Sequence, residues 1–236
     1  GISCQVFGRS INMEEQDAWL LHAHGKLRRV ERQDASNDPA HASPDEIQAR
    51  CVEEVSGARH YRAMQERGLE YGPSFQAVAR IWRRDGEALA QLQLPSNVRG
   101  EIGAYCIHPV LLDAGFQVVA AAVPAVEQGG RDDNLYLPVG VGRLRLYRRP
   151  GDRVWCHASL RARDETSPDG LAADVRLFDE TGQTLAEVTG LRLQRLGSFQ
   201  SVVAQDVSGW FYALDWQPRA RSGQRSAGQD RITHWL

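Results

Sequence analysis

The chain has 236 residues, 42% of them hydrophobic and 25% charged, with a formal net charge of -2. These are the proportions of an ordinary globular protein with a core of its own, and they give no reason to expect nucleic acid or an anionic membrane as partner. No apolar run reaches the roughly 20 residues of a membrane span, and Gly1-Ile-Ser-Cys-Gln5 lacks the charged and apolar regions of a signal peptide, while the widely spaced cysteines fit a reducing cytosol best.

Four cysteines, Cys4, Cys51, Cys106 and Cys156, lie far apart with no C-x-x-C pair. This argues against a zinc site and against a dense disulfide framework. Only Lys26 among the 28 basic residues is a lysine, and the arginines are interleaved with acids as on a solvated surface.

In chain order, residues 2–9 and 18–30 read as two strands joined by a polar turn at Asn12–Asp17. A hairpin alone is marginal and needs a sheet to join. Gln33–Ala42 is loop-like. Ser43-Pro44-Asp45-Glu46 then has a helix-start signature, with Gly57 as the stop, and a second short helix covers 58–67 up to Gly68. Strands follow at 76–84, 87–94, 139–147, 153–163, 172–179 and 184–194, the last two joined by the turn Asp179-Glu-Thr-Gly-Gln183. One long helix, from His108-Pro109 to about Val123, interrupts them. A single apolar helix among antiparallel strands predicts an α+β fold in which the sheet wraps the helix, the hot-dog fold being the obvious candidate. Gly197–Gly209 reads as a linker, Trp210–Trp216 as an aromatic strand-like segment and Arg219–Gln229 as another linker. Both ends look cut from a longer polypeptide.

The long helix carries the chemistry. After Pro109 it is apolar or small except at Asp113 and Gln117, which are four apart and share a face. A carboxylate on a helix buried on nearly all sides must be paired, hydrogen-bonded or protonated; protonation near neutral pH is what a general acid needs. An exposed stripe favoured by the macrodipole is the bland alternative. Gly115 points to a packing or access requirement, since glycine inside a helix costs about 1 kcal/mol. Tyr71-Gly-Pro-Ser-Phe-Gln76 is a tight turn flanked by aromatics, its tyrosine hydroxyl expected to satisfy nearby backbone. Tyr136-Leu-Pro-Val-Gly-Val-Gly-Arg143 reads as a loop leading into a strand, with glycines that allow close approach of backbone or substrate. His22 and His24 share a strand face without a third ligand, His108 reads as a cap or loop residue, and no histidine shows a partner that marks it as a base.

Together and in order, Tyr71–Gln76, His108-Pro-Val-Leu-Leu-Asp-Ala-Gly-Phe-Gln117 and Leu137-Pro-Val-Gly-Val-Gly-Arg-Leu-Arg-Leu-Tyr147 resemble the successive motifs of polyketide synthase dehydratase domains. The resemblance implies a double hot-dog, of which residues 1–32 would be the last hairpin of a truncated first half, 33–70 a linker with short helices, 71–196 the second, C-terminal hot-dog, and 197–236 a linker and the start of the following domain. It implies that a His from the first half removes the α-proton of a 3-hydroxyacyl thioester and that an Asp from the second protonates the departing hydroxyl. By position that Asp is Asp113, with Gln117 hydrogen-bonded beside it, Tyr71 and Gly72 lining or bracing the cleft and Pro73 holding the turn.

The implied partners are an acyl carrier protein, whose phosphopantetheine carries the substrate, the rest of the synthase module, and a second copy, since such domains are often dimers. No metal or organic cofactor, nucleic acid or membrane is implied. The family's His motif, H-x-x-x-G-x-x-x-x-P, is absent from these residues, so the chain alone is expected to be inactive. Relatives that close pyran rings or shift double bonds, and a non-catalytic structural module, are the alternatives.

Overall fold

The computed structural model describes residues 1–8, 19–29, 42–124, 135–162 and 170–196, which fall into two units. In the first, β1 (Ile2–Gly8) and β2 (Leu20–Leu27) form an antiparallel hairpin with Ile2 opposite Leu27. Its apolar side chains, Ile2, Val6, Leu20 and Leu27 among them, are exposed, as a ribbon with no third strand among the described residues dictates. The expected turn at Asn12–Asp17 and the segments read at 33–41 and after 196 lie outside the described residues.

The second unit contains α1 (Pro44–Arg50), β3 (Glu53–Ser56), α2 (Gly57–Glu66), a 3-10 turn at Pro73–Phe75, β4 (Val78–Arg84), β5 (Glu87–Gln93), α3 (Pro109–Ala122), β6 (Leu135–Leu146), β7 (Arg153–Leu160), β8 (Gly170–Phe178) and β9 (Thr184–Leu196). Seven strands form one antiparallel sheet in the order β3-β4-β5-β7-β8-β9-β6. Helix α3 packs across β4, β5, β7 and β8. This is the hot-dog arrangement of an α+β fold. Alternation supplies the inner face: Val154, Cys156 and Ala158 of β7 and Leu171, Ala173, Val175 and Leu177 of β8 are buried against the helix, at the period of two that a strand requires.

Helix α3 begins where its sequence signals place it. His108 is the N-cap, its Nδ1 accepting the Val110 N–H at 3.3 Å, and Pro109 is the first helical residue, where a missing N–H costs nothing. Gly115 has a packing reason. A Cβ there would stand 3.3 Å from Val175 Cγ1 and 3.6 Å from Leu177 Cδ2, so the glycine lets α3 lie directly on β8.

Three boundaries differ from the sequence reading. The capping box Ser43–Glu46 does open a helix, but that helix ends at Arg50, and Gly57 begins α2 instead of stopping α1. The reason is close approach: a Cβ on Gly57 would lie 2.1 Å from the Val78 carbonyl oxygen, so only glycine lets the N-terminus of α2 seat on β4. Between the helices, Glu53–Ser56 forms β3, an edge strand paired with β4, within a stretch read as linker. The third difference is β6, which starts at Leu135 and takes in Pro138. Proline donates nothing to a ladder, and it is tolerated because β6 is an edge strand with an irregularity at Pro138/Gly140.

On the outer face of the sheet, α1 covers a smaller apolar cluster of Ile47, Cys51, Trp82, Leu89 and Phe178. Trp82 stacks on Trp155 at 5.6 Å.

Candidate active site

Asp113 and Gln117 sit on the flank of α3 that turns away from the sheet interior. Gln117 is 4% exposed, whereas Asp113 is half-buried and borders a cleft of about 80 Å³. Met64 and Arg67 of the α2 end, Leu69, Tyr71, the α3 residues Phe116, Val119, Ala120 and Val123, the β6 start Leu135–Pro138 and Leu193 of β9 complete its walls. The lining is apolar apart from Asp113, Gln117, Tyr71, Tyr136 and Arg67, as in a site that buries a carbon chain and orients one polar group.

The shared face of Asp113 and Gln117 becomes a bond: Gln117 Nε2 donates to Asp113 Oδ2 at 2.8 Å. Its other proton goes to the Phe75 carbonyl at 3.2 Å, while Gln117 Oε1 accepts from the Tyr61 hydroxyl at 3.0 Å. The Tyr61 oxygen in turn accepts the Val78 N–H at 2.8 Å. Every polar atom of the buried amide is therefore satisfied, which is the condition for burying it at all.

Tyr71 lines the cleft with Asp113. Burial, and then the negative charge of Asp113, hold its phenol above the ordinary value, so it stays protonated and can donate. The Tyr71 carbonyl accepts from Gln76 Nε2 at 2.8 Å, which ties the two ends of the turn together. Gly72 and Pro73 are exposed and are not cleft walls. They form the 3-10 turn, in which the Phe75 N–H donates to the Gly72 carbonyl at 2.9 Å, and so brace Tyr71 and Phe75. The β6 glycines serve the sheet: a Cβ on Gly142 would stand 2.9 Å from the Thr189 carbonyl oxygen.

Two features escaped the sequence reading. Tyr61, on α2, lies in no motif, and its partners are 17 and 56 residues away. His157 does have a carboxylate partner, Glu87, whose Oε1 lies 2.7 Å from His157 Nε2. Glu87 also takes Arg50 Nε and Arg84 Nε, each at 2.8 Å. This cluster adjoins the outer face beneath α1, while Asp113 faces the cleft along α3, so it is an ion-pair node separate from the cleft. His60 is buried, and desolvation pushes it down to about 4, leaving it neutral.

The profile of the family described as "Polyketide synthase dehydratase N-terminal domain" matches residues 39–201. The chain belongs to the polyketide synthase dehydratase family. Among relatives, the mycocerosic acid synthase-like polyketide synthase of Mycobacterium tuberculosis is 34% identical over 192 residues, covering 80% of this chain and 9% of that protein. The dehydratase domain from the CurF module of the curacin synthase is 32% identical with a TM-score of 0.67, covering 83% of this chain and 64% of that one. The CurK dehydratase, solved as inactive mutants with a His-to-Phe or an Asp-to-Asn substitution, is 31% identical with a TM-score of 0.66, covering 83% and 63%. The chain thus spans about a tenth of the curated relatives' length and less than two thirds of the solved dehydratase chains. Among the described residues no helix is long and apolar enough to cross a membrane.

Proposed function

We propose that the chain is the second hot-dog of a modular polyketide synthase dehydratase and that Asp113 is its general acid. The substrate is a 3-hydroxyacyl thioester carried on the phosphopantetheine of an acyl carrier protein. A histidine from the other hot-dog takes the α-proton, Asp113 gives its proton to the β-hydroxyl, the C–O bond breaks, and an enoyl thioester and water leave. No cofactor enters the balance.

The observation that carries this reading is the Asp113–Gln117 pair at the edge of an apolar cleft. Because Gln117 Nε2 engages Oδ2, the transferable proton belongs on Oδ1. Tyr71, held protonated in the same cleft, orients the substrate by donating to it. The CurK dehydratase, an inactive mutant of which carries an Asp-to-Asn change, supports the role of a carboxylate. The family's His motif is absent from these 236 residues, so the base comes from elsewhere in the complete domain.

The test is water loss from a 3-hydroxyacyl carrier protein, followed by mass in the intact synthase and in its Asp113→Asn variant. Acid catalysis contributes about 10²-fold or more, and the variant should lose at least that. Undiminished water loss from Asp113→Asn would sink the assignment. Water loss that never occurs in a folded, unaltered synthase would point to a cyclase, an isomerase or a structural module.

A further inference from the structure

We propose that Tyr61 is a positioning residue for Asp113, acting through Gln117: its hydroxyl holds the Gln117 amide in the orientation that aims a donor at the carboxylate. This rests on the reading of Asp113 as the general acid.

An amide side chain can be rotated by half a turn with little change in shape, so its neighbours decide which end is oxygen. Around Gln117 three groups vote. The Phe75 carbonyl and Asp113 Oδ2 lie 3.2 and 2.8 Å from Nε2, and both accept. The third group, the Tyr61 hydroxyl, lies 3.0 Å from Oε1. It has one proton, and its oxygen is already engaged as acceptor of the Val78 N–H at 2.8 Å, so that proton goes to Gln117, the Phe75 carbonyl being farther at 3.4 Å. Burial pushes the phenol well above its ordinary value, so the hydroxyl remains a donor throughout the working range. A turned amide would set Oε1 against two acceptors and leave the Tyr61 proton only the longer contact to the Phe75 carbonyl.

The chain of bonds therefore runs Val78 N–H to Tyr61, Tyr61 to Gln117, Gln117 to Asp113, and it fixes the acid from the rigid sheet rather than from the cleft. Tyr61 is not a cleft wall, so it acts on the acid and not on the substrate. Its ring is held edge-on by Tyr71 at 5.9 Å and by His60 at 5.2 Å, contacts that phenylalanine would keep.

The experiment uses the intact synthase with a 3-hydroxyacyl carrier protein and compares Tyr61→Phe, Gln117→Ala, the double variant and Asp113→Asn. One neutral hydrogen bond is worth about a factor of ten in rate, so Tyr61→Phe should lower kcat about tenfold with KM changed less than about twofold. In the Gln117→Ala background the same change should cost nothing further, because its only route to the acid is gone. Equal losses from Tyr61→Phe in both backgrounds, or a rise in KM at constant kcat, would overturn the proposal. Should Tyr61→Phe not fold, Gln117→Glu decides: it keeps an acceptor for the Tyr61 hydroxyl but loses the Nε2 donors to Asp113 and to the Phe75 carbonyl and sets a second carboxyl beside the acid, and unchanged kcat overturns the relay. If Asp113→Asn retains full activity, the general-acid reading fails and this inference with it. If Asp113→Asn is dead while Tyr61→Phe is unaffected, the inference alone fails.

Discussion

Replacing Glu87 by glutamine should remove a pH-dependent share of stability that the ion-pair node supplies. The carboxylate is 8% exposed in its side chain and is met by Arg50, His157 and Arg84. Hydrogen bonding to Arg50 is the largest cause that brings Glu87 from 4.5 down to about 2, with His157 and Arg84 adding to it against the cost of burial. That fall is worth about 3 kcal/mol, at about 1.36 kcal/mol per pH unit. Arg84 is half exposed and its share is screened by solvent, so about 2 kcal/mol is the expected loss. His157 adds no positive charge at neutral pH, since burial outweighs Glu87 and holds it below 6.5. The sign follows from the depressed value: the contribution is whole above about pH 4.5 and drains away as pH falls toward about 2. Urea unfolding followed by indole emission, to which the stacked Trp82 and Trp155 beside this cluster contribute, measures it at a series of pH values. The unaltered chain and Glu87→Gln should differ by about 2 kcal/mol at neutral pH and converge in acid. A pH-independent gap, or none, would refute the reasoning.

Two further outcomes are expected. Gly57→Ala places a Cβ against the Val78 carbonyl and forces α2 off β4, so the urea midpoint should drop by the equivalent of about 2 kcal/mol; a stabilised variant would show that the seat of α2 is not close-packed. On the proposed reading of the cleft, Ala120→Phe narrows it between Phe116 and Val123 and should lower kcat/KM for long acyl thioesters at least about tenfold more than for short ones, an unchanged chain-length profile being the contrary result.

The long helix and the strands around it were legible because local signals agree there. His108-Pro109 opens α3, alternation marks β7 and β8, and the Asp179–Gln183 turn is closed by its own side chain, Asp179 Oδ1 accepting the N–H groups of Thr181 and Gln183. Asp113 and Gln117 were legible for the same reason, since four residues on a helix bring two side chains together without help from the rest of the fold. What stayed hidden depends on distant neighbours. Gly57 looks like any helix stop until the Val78 carbonyl is set beside it. Pro138 reads as a loop residue until β6 is known to be the sheet's edge. Tyr61 is one aromatic on an amphipathic helix, and its role rests on a backbone N–H of β4 and an amide of α3. Glu87 and His157 sit on neighbouring strands whose pairing places Glu87 opposite Ser159 and Leu89 opposite His157, a register that composition cannot supply.

Helix α3 presents two flanks with different obligations. One, through Leu111, Ala114, Gly115, Val118 and Ala122, is pressed into the sheet, where added volume displaces a strand. The other, through Phe116 and Ala120 beside Asp113, borders the cleft, where added volume at the two apolar positions changes what fits. Because 3.6 residues make a turn, these two vocabularies are interleaved letter by letter along fourteen residues. The apolar cleft letters of this segment can therefore be rewritten for a new occupant, while the letters between them go on spelling the same fold.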